Sequence, residues 1–434
     1  MSDPINLAVD AAEGYPHESA PQAPQVLSKR FVFALVLLYV GTYLAAVGMA
    51  IVAWPLTIAR LVPDEKVLWL SIVTGIYALV NVLITPLAGT MSDRCTSRLG
   101  MRRPFILAGV ALGAAGLAVM AFSDGVGQLL VGVVLMGIGN ATVTGASGAL
   151  IPDQVPERHR GRMQGLMMVC IVSSGLLASI FLPMLIGNQV ALFGVPAVVM
   201  VIAALLVSAV LNDRHLSEAE RARMEKPKNF FAEFKIKPRE IPDYSWAWVG
   251  KFVVVLATVL TSTYGVYILT DQLKVSPEEL PGVITLTGLV GLATAIVGAV
   301  GGSWISDKLQ KRKSLVLFTT LLMAAGAVVV AFSPSVPVYL VGLVLLGLGS
   351  GAYSPIDGAL FIDVLPGGGK ESGKYMSLMT VADQIPRSFG PMLGSALIAL
   401  GALTSLGGYQ VMYLVAAVIG VVGGFTVRKI KGSM

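Results

Sequence analysis

Asp383 and Arg387 stand four residues apart in VADQIPRSFGP, within a long apolar stretch, and Asp357 lies within the stretch before it. Ionisable side chains are rare in such surroundings. Each costs about 2.5–3.5 kcal/mol at a membrane helix centre, so those that persist are functional by default. Residues four apart share one helix face. If residues 362–374 form a hairpin, Asp357 and Asp383 reach comparable depths at 1.5 Å of rise per residue. One arginine between two carboxylates is then expected. A carboxylate's hold on a proton depends on the cation beside it, so making and breaking that pairing is a way to take up and release a proton. The competing reading is a static structural ion pair.

A second set is polar but neutral. Tyr43, Tyr77, Asn81, Asn140, Tyr264 and Tyr353 sit midway along apolar runs. Tyr77 and Asn81 again share a face. An aromatic ring beside amide donors suits a sugar, whose C–H face stacks and whose hydroxyls hydrogen-bond. The competing reading is that each joins two helices.

A third set concentrates charge between two apolar runs, in GTMSDRCTSRLGMRRPF from Gly89 to Phe105. Four arginines would anchor a loop at the membrane surface. Asp93 is suited to accept hydrogen bonds from the N–H groups at the start of a neighbouring helix, where the dipole is positive. The arginines are suited to bind acids such as Asp153. The expected gating set is Gly89, Asp93, Arg94, Arg102, Arg103, Asp153, Arg160, Asp307 and Asp363.

Other chemistry finds no footing. No nucleophile–base pair and no phosphate loop is present. His17, His159 and His215 are scattered without metal-ligand spacing. Cys95 and Cys170 imply no disulfide framework. No enzyme, cofactor or metal is expected.

The elements that must position these residues follow from composition. Of 434 residues 55% are hydrophobic and 13% charged, against about 45–50% and about 25% in soluble domains. Apolar segments of bilayer-crossing length recur at 31–58, 67–91, 104–122, 127–150, 163–186 and 191–212. Six more follow at 247–270, 281–305, 314–333, 337–361, 375–400 and 407–427. Only helices satisfy their own backbone in hydrocarbon without closing a barrel. The expected fold is all-α, with twelve membrane helices in two pseudo-symmetric six-helix bundles, 31–212 and 246–427. Residues 1–30 are expected to be a disordered cytoplasmic tail, 213–245 a cytoplasmic linker and 428–434 a second tail. LSEAERARMEK in the linker fits a short interfacial helix, with Phe230, Phe231 and Phe234 against lipid or protein, or a solvated connection.

The tails and alternate connections carry 26 of the 31 Lys and Arg residues, and the opposite connections only Arg60, Lys66 and Lys274. That asymmetry places both termini in the cytoplasm of a cell membrane. It also accounts for the net charge of +6 without nucleic acid.

The halves repeat. SDR at 92–94 returns as SDK at 306–308, and GALIPDQVP at 148–156 returns as GALFIDVLP at 358–366. Such repeats mark transporter folds.

Together these features resemble the major facilitator superfamily. Gly89, Asp93, Arg94, Gly100, Arg102 and Arg103 fill its 2–3 loop motif. SDRCTSRLGMRRPF is similar to the longer form in the branch of sugar:cation symporters and sucrose-type carriers, departing from it at Met101. Asp153, Pro156, Arg160 and Gly161, with PDYSWAWVGKF after the linker, fit the same branch. The resemblance implies alternating access, with Asp93 holding the bundles together when the carrier faces outward. It implies proton-coupled symport of a sugar or glycoside by a monomer whose partners are its small-molecule substrate, the proton and the bilayer. Proton-driven efflux of amphipathic compounds on the same fold is the rival expectation. A non-transporting sensor or channel is a weaker one, since linker and termini are short.

Overall fold

The computed structural model describes residues 28–211, 213–216, 221, 239, 241–365 and 372–430, and these contain helix and no strand. The amino-terminal tail before residue 28, most of the linker with its expected interfacial helix, and Lys370 lie outside the described residues.

Among the described residues twelve long helices follow in chain order. α1, Lys29–Gly48, continues through a wider turn at Met49–Ala53 into Trp54–Leu61. α2 is Lys66–Asp93, α3 Arg103–Ala121, α4 Val126–Gly148, α5 Glu157–Phe181 and α6 Gln189–Val210. α7 is Pro242–Thr263, α8 Leu280–Leu309, α9 Arg312–Ala331, α10 Val336–Asp363, α11 Ser372–Ala402 and α12 Gly408–Thr426. Eleven of these segments are long and apolar enough to cross a bilayer. The other, α11, bears Asp383 and Arg387 and continues without a break through Pro386 and Pro391.

In the first half α1 packs on α5 and α6, α2 on α4, and α3 on α4 and α6. In the second half α7 packs on α11 and α12, α8 on α10, and α9 on α10 and α12. Adding six to every number in the first set gives the second, so the two bundles share one architecture. Small residues hold the repeated crossings together. A Cβ on Gly116 would lie 2.5 Å from the Gly132 carbonyl oxygen of α4, and one on Gly326 would lie 2.8 Å from that of Gly342 in α10. Side chains at these positions would force the helices apart, which is why glycine stands there.

The bundles meet through α2 against α11 and α5 against α8, again related by exchange of halves. The fold thus has a basic end, with the 2–3, 4–5, 8–9 and 10–11 connections, and a base-poor end. In the base-poor half Lys66 pairs with Asp271, Ser71 bonds Tyr264, and Tyr267 bonds the Pro55 and Lys66 carbonyls, joining the two bundles. There α2 packs so tightly that a Cβ on Gly75 would sit 2.7 Å from the Ser388 carbonyl oxygen of α11. Toward the basic end the Asp383 and Arg387 side chains of α11 are partly exposed, and we read that side as a cleft between the bundles.

Candidate functional site

At the basic end, Arg102 is the hub of the 2–3 loop and is 4% exposed. Its guanidinium reaches Asp93 at 2.5 Å and Asp153 at 3.0 Å and donates to the Ser92 hydroxyl at 2.5 Å. The Asp213 carboxylate receives the backbone N–H groups of Arg102 and Arg103, capping the start of α3. Gly100 makes this possible: its φ of +104° lies in the left-handed region, and a Cβ there would fall 2.3 Å from the Asp213 carboxylate. Arg103 also donates to the Leu211 carbonyl. Arg160 donates to the Val155 and Pro152 carbonyls and closes the 4–5 turn. Gly89 sits where α2 crosses α4 at Gly145, and Arg94 lines a cavity beside the loop.

The hub has a partial copy in the second half. Arg312 pairs with Asp363, each 210 positions beyond Arg102 and Asp153. The copy of Asp93 is weaker: Asp307 is exposed, and its carboxylate makes no ion pair among the described residues. Here Asp93 is engaged by Arg102 of its own bundle. Residues 366–371, just before α11, lie outside the described residues.

At the base-poor end, Lys66 at the start of α2 pairs with Asp271 beyond α7 at 2.6 Å. Asp271 also accepts from Tyr409 of α12 at 2.7 Å and from Thr270 at 2.9 Å. Tyr267 lies under the Lys66 ammonium and donates to the Pro55 and Lys66 carbonyls. One layer deeper, Tyr264 shares a 2.9 Å hydrogen bond with Ser71 and donates to the Pro391 carbonyl. These contacts shut the base-poor end. Asp271→Asn should weaken the latch by about 1 kcal/mol, roughly fivefold in the opening equilibrium. Labelling of a cysteine placed at Thr74, in a background lacking Cys95 and Cys170, should quicken accordingly with an impermeant maleimide; an unchanged rate would remove the latch role.

The cleft walls differ. On α11, Ile385, Phe389 and Met392 form the exposed apolar stripe. Asp383, Arg387, Gly390 and Gly394 form another stripe, whose glycines pack on Val259 and Tyr264 of α7. The Asp383 and Arg387 side chains, 30% and 50% exposed, thus lie on the face turned toward α7 and away from the apolar stripe. Arg387 grips Asp383 with two hydrogen bonds, at 2.9 and 3.2 Å. Asp357 does not share that arginine. It is buried and receives Lys251 of α7 at 3.1 Å and the Tyr353 hydroxyl at 3.0 Å. The expected single arginine between two carboxylates is thus corrected to two ion pairs. The reason is geometric: Asp383 offers Arg387 both oxygens one turn away on its own helix, and Lys251 supplies Asp357 from across the bundle. Asp383 still lies close enough for its charge to reach Asp357 and Tyr353.

The side chains expected to face the cleft from the first bundle, Tyr43, Tyr77, Asn81 and Asn140, are neutral. Asn140 of α4 donates to the Tyr77 hydroxyl at 2.5 Å, Trp54 packs edge-on against Tyr77, and Tyr43 stacks on Tyr39. Asn81 donates to the Tyr77 backbone carbonyl of its own helix. Two expected solute contacts stand elsewhere. Tyr264 is fully buried in the closed end with its hydroxyl engaged, and Tyr353 is bonded to Asp357. Lys66, Asp213, Lys251, Asp271 and Arg312 are the residues that sequence reasoning missed. Arg312 had a signal, the 210-position offset from Arg102. Lys251 had one too, as a base within a span.

With this geometry in place, the comparison with known families is decisive. The family model described as Major Facilitator Superfamily matches residues 31–301 and 247–431. The chain belongs to the Major Facilitator Superfamily. It is a multi-pass membrane protein of that family. Among curated proteins it is 30% identical over 203 residues to a class G tetracycline resistance protein of Vibrio anguillarum, covering 45% of this chain and 49% of that protein. It is 30% identical over 128 residues to the sucrose transport protein SUC4 of Arabidopsis thaliana, covering 25% of each. The matches thus span half or less of these relatives. A bacterial homologue of the human lysosomal transporter Spinster, solved in an inward-facing, unoccupied conformation, superposes with a TM-score of 0.71 at 18% identity, covering 94% of this chain and 100% of that one. At that identity the likeness speaks for the fold.

Proposed function

We propose that this protein is a proton-coupled symporter that brings a small polar solute, a sugar or glycoside, across the cell (inner) membrane as a monomer with both termini in the cytoplasm. The observation that carries the reading is the division of the cleft. One wall offers the neutral rings of Tyr43 and Tyr77, with Asn140 buried behind them and holding the Tyr77 hydroxyl, suited to a polyhydroxylated solute. The other carries the pairs Asp383–Arg387 and Asp357–Lys251, suited to exchanging a proton. A carboxylate paired with a cation gives up its place to a proton only when the pairing loosens, so rocking and protonation become linked. With the basic end in the cytoplasm, this structure is the inward-open state. Similarity to a protein named for sucrose transport supports the solute class.

In this reading Asp93 and the surrounding gating residues hold the basic end shut in the opposite state. Asp93→Asn should slow the conformational cycle more than it weakens solute binding. Loss of binding with unaltered cycling would contradict that role.

Accumulation of radiolabelled sucrose, maltose or inositol in proteoliposomes under an inward proton gradient tests the function. Uptake above equilibrium that a protonophore collapses is expected. The similarity to a tetracycline resistance protein supports a second reading, proton-driven efflux. Tetracycline extrusion with no sugar uptake would replace the first reading by the second.

A further inference from the structure

We infer that Lys251 is a positioning residue for the transport cycle: it pins the cytoplasmic half of α7 to α10 through Asp357, and neutralisation of Asp357 by a proton frees that half to move. The inference rests on the proton-coupled reading above and adds the moving part.

α7 is a helix of two pieces. It is regular over Pro242–Thr263, breaks at Tyr264 (φ −105°, ψ 19°), and continues through a short turn at Gly265–Tyr267 and a wider one at Ile268–Gln272. Such irregular turns are where helices bend. Beyond the break α7 belongs to the base-poor latch through Tyr267 and Asp271. Before the break it is tied to α11 by Trp248, which donates to the Leu378 carbonyl, and by Tyr244, which donates to that of Tyr375. Its tie to α10 is of another kind. Lys251 reaches 3.1 Å across to Asp357, and the two side chains are 22% and 7% exposed.

The other groups around Asp357 leave Lys251 as its counter-charge. Tyr353 of α10 donates to the second carboxylate oxygen. Asp383 of α11 adds a like charge but is itself held by Arg387. The charges of α8 and α9, namely Asp307, Lys308, Arg312 and Lys313, stand at the basic end, where Arg312 pairs with Asp363. An ammonium and a carboxylate this buried part at high cost while both are charged. A proton on Asp357 removes the attraction and lets α7 bend at Tyr264 toward closure of the cleft.

The test needs no solute. Spin labels at Leu99 and Lys308, in full-length protein lacking Cys95 and Cys170 and held in lipid nanodiscs, report the opening of the basic end between pH 8 and pH 5. The wild type should pass from long to short distances as the pH falls. Asp357→Asn should give short distances at every pH. Lys251→Met removes the same attraction from the other side and should likewise give short distances across the whole pH range. Lys251→Arg should restore the wild-type midpoint. Lys251→Met and Asp357→Asn combined removes both charges, strands neither, and should behave as Asp357→Asn alone. A wild-type midpoint in Lys251→Met, with Asp357→Asn locked, would overturn the role of Lys251 and leave coupling at Asp357 standing. Distances in the wild type that ignore pH would instead overturn proton coupling of the rocking motion itself.

Discussion

Asp383→Asn should abolish uphill accumulation, at least a tenfold loss of the gradient-driven concentration ratio, while solute exchange across the membrane persists. The size of the expected effect comes from separating stability from coupling. The Asp383–Arg387 pair is a one-turn pair, 30% and 50% exposed. Pairs of that kind contribute about 0.3–0.5 kcal/mol. The variant should therefore fold, insert and bind, and Arg387 stays hydrated in the cleft. What it loses is a carboxylate that can take and release a proton where solute and water both reach. Uphill transport at the wild-type level would remove Asp383 from the coupling route and leave Asp357 as the acid to examine. A protein that no longer folds would show that the pair is structural.

Arg102→Met should act in the opposite way, on the fold first. The arginine is almost fully buried and holds Asp93, Asp153 and Ser92 together. Breaking a buried pair costs about 3–5 kcal/mol because the remaining partner is left unpaired. Asp93 and Asp153 are about half exposed and can regain water, which draws the cost toward about 3 kcal/mol. Ser92 is fully buried and loses its donor, adding about 1 kcal/mol. Stabilities near 5–15 kcal/mol leave little margin for that loss. Thermal unfolding in detergent should fall by several degrees, with less protein recovered in the membrane. An unchanged melting point would mean that the 2–3 loop is held without its hub.

The contrast between these variants also tells what the sequence makes legible. The twelve helices and their two-half arrangement are written in hydrophobic run lengths and in the distribution of bases, because a bilayer punishes exceptions to both. The 2–3 loop and its echo are legible because local motifs carry them. Long-range pairing is not. Lys251 and Asp357 are 106 positions apart, and Lys66 and Asp271 are 205 apart. Only packing decides which cation meets which acid. Proximity in the chain favoured Arg387 as the partner of both acids, and the register of α7 against α10 gave Asp357 to Lys251 instead. Tyr264 was read as a solute contact from its depth, whereas the closure of α7 on α2 buries it. The half-echo in the second loop was partly readable: Arg312 and Asp363 keep the offset, and Asp307 lacks the partner that Arg102 gives Asp93.

That proton and solute move together, in the same direction, is tested most directly by loading proteoliposomes with a pH-sensitive dye and adding sucrose outside, with the membrane potential clamped at zero. Symport predicts that the lumen acidifies when sucrose is added, that a protonophore erases the signal, and that Asp383→Asn lacks it. A lumen that stays at constant pH while sucrose enters, or that turns alkaline, would contradict proton symport.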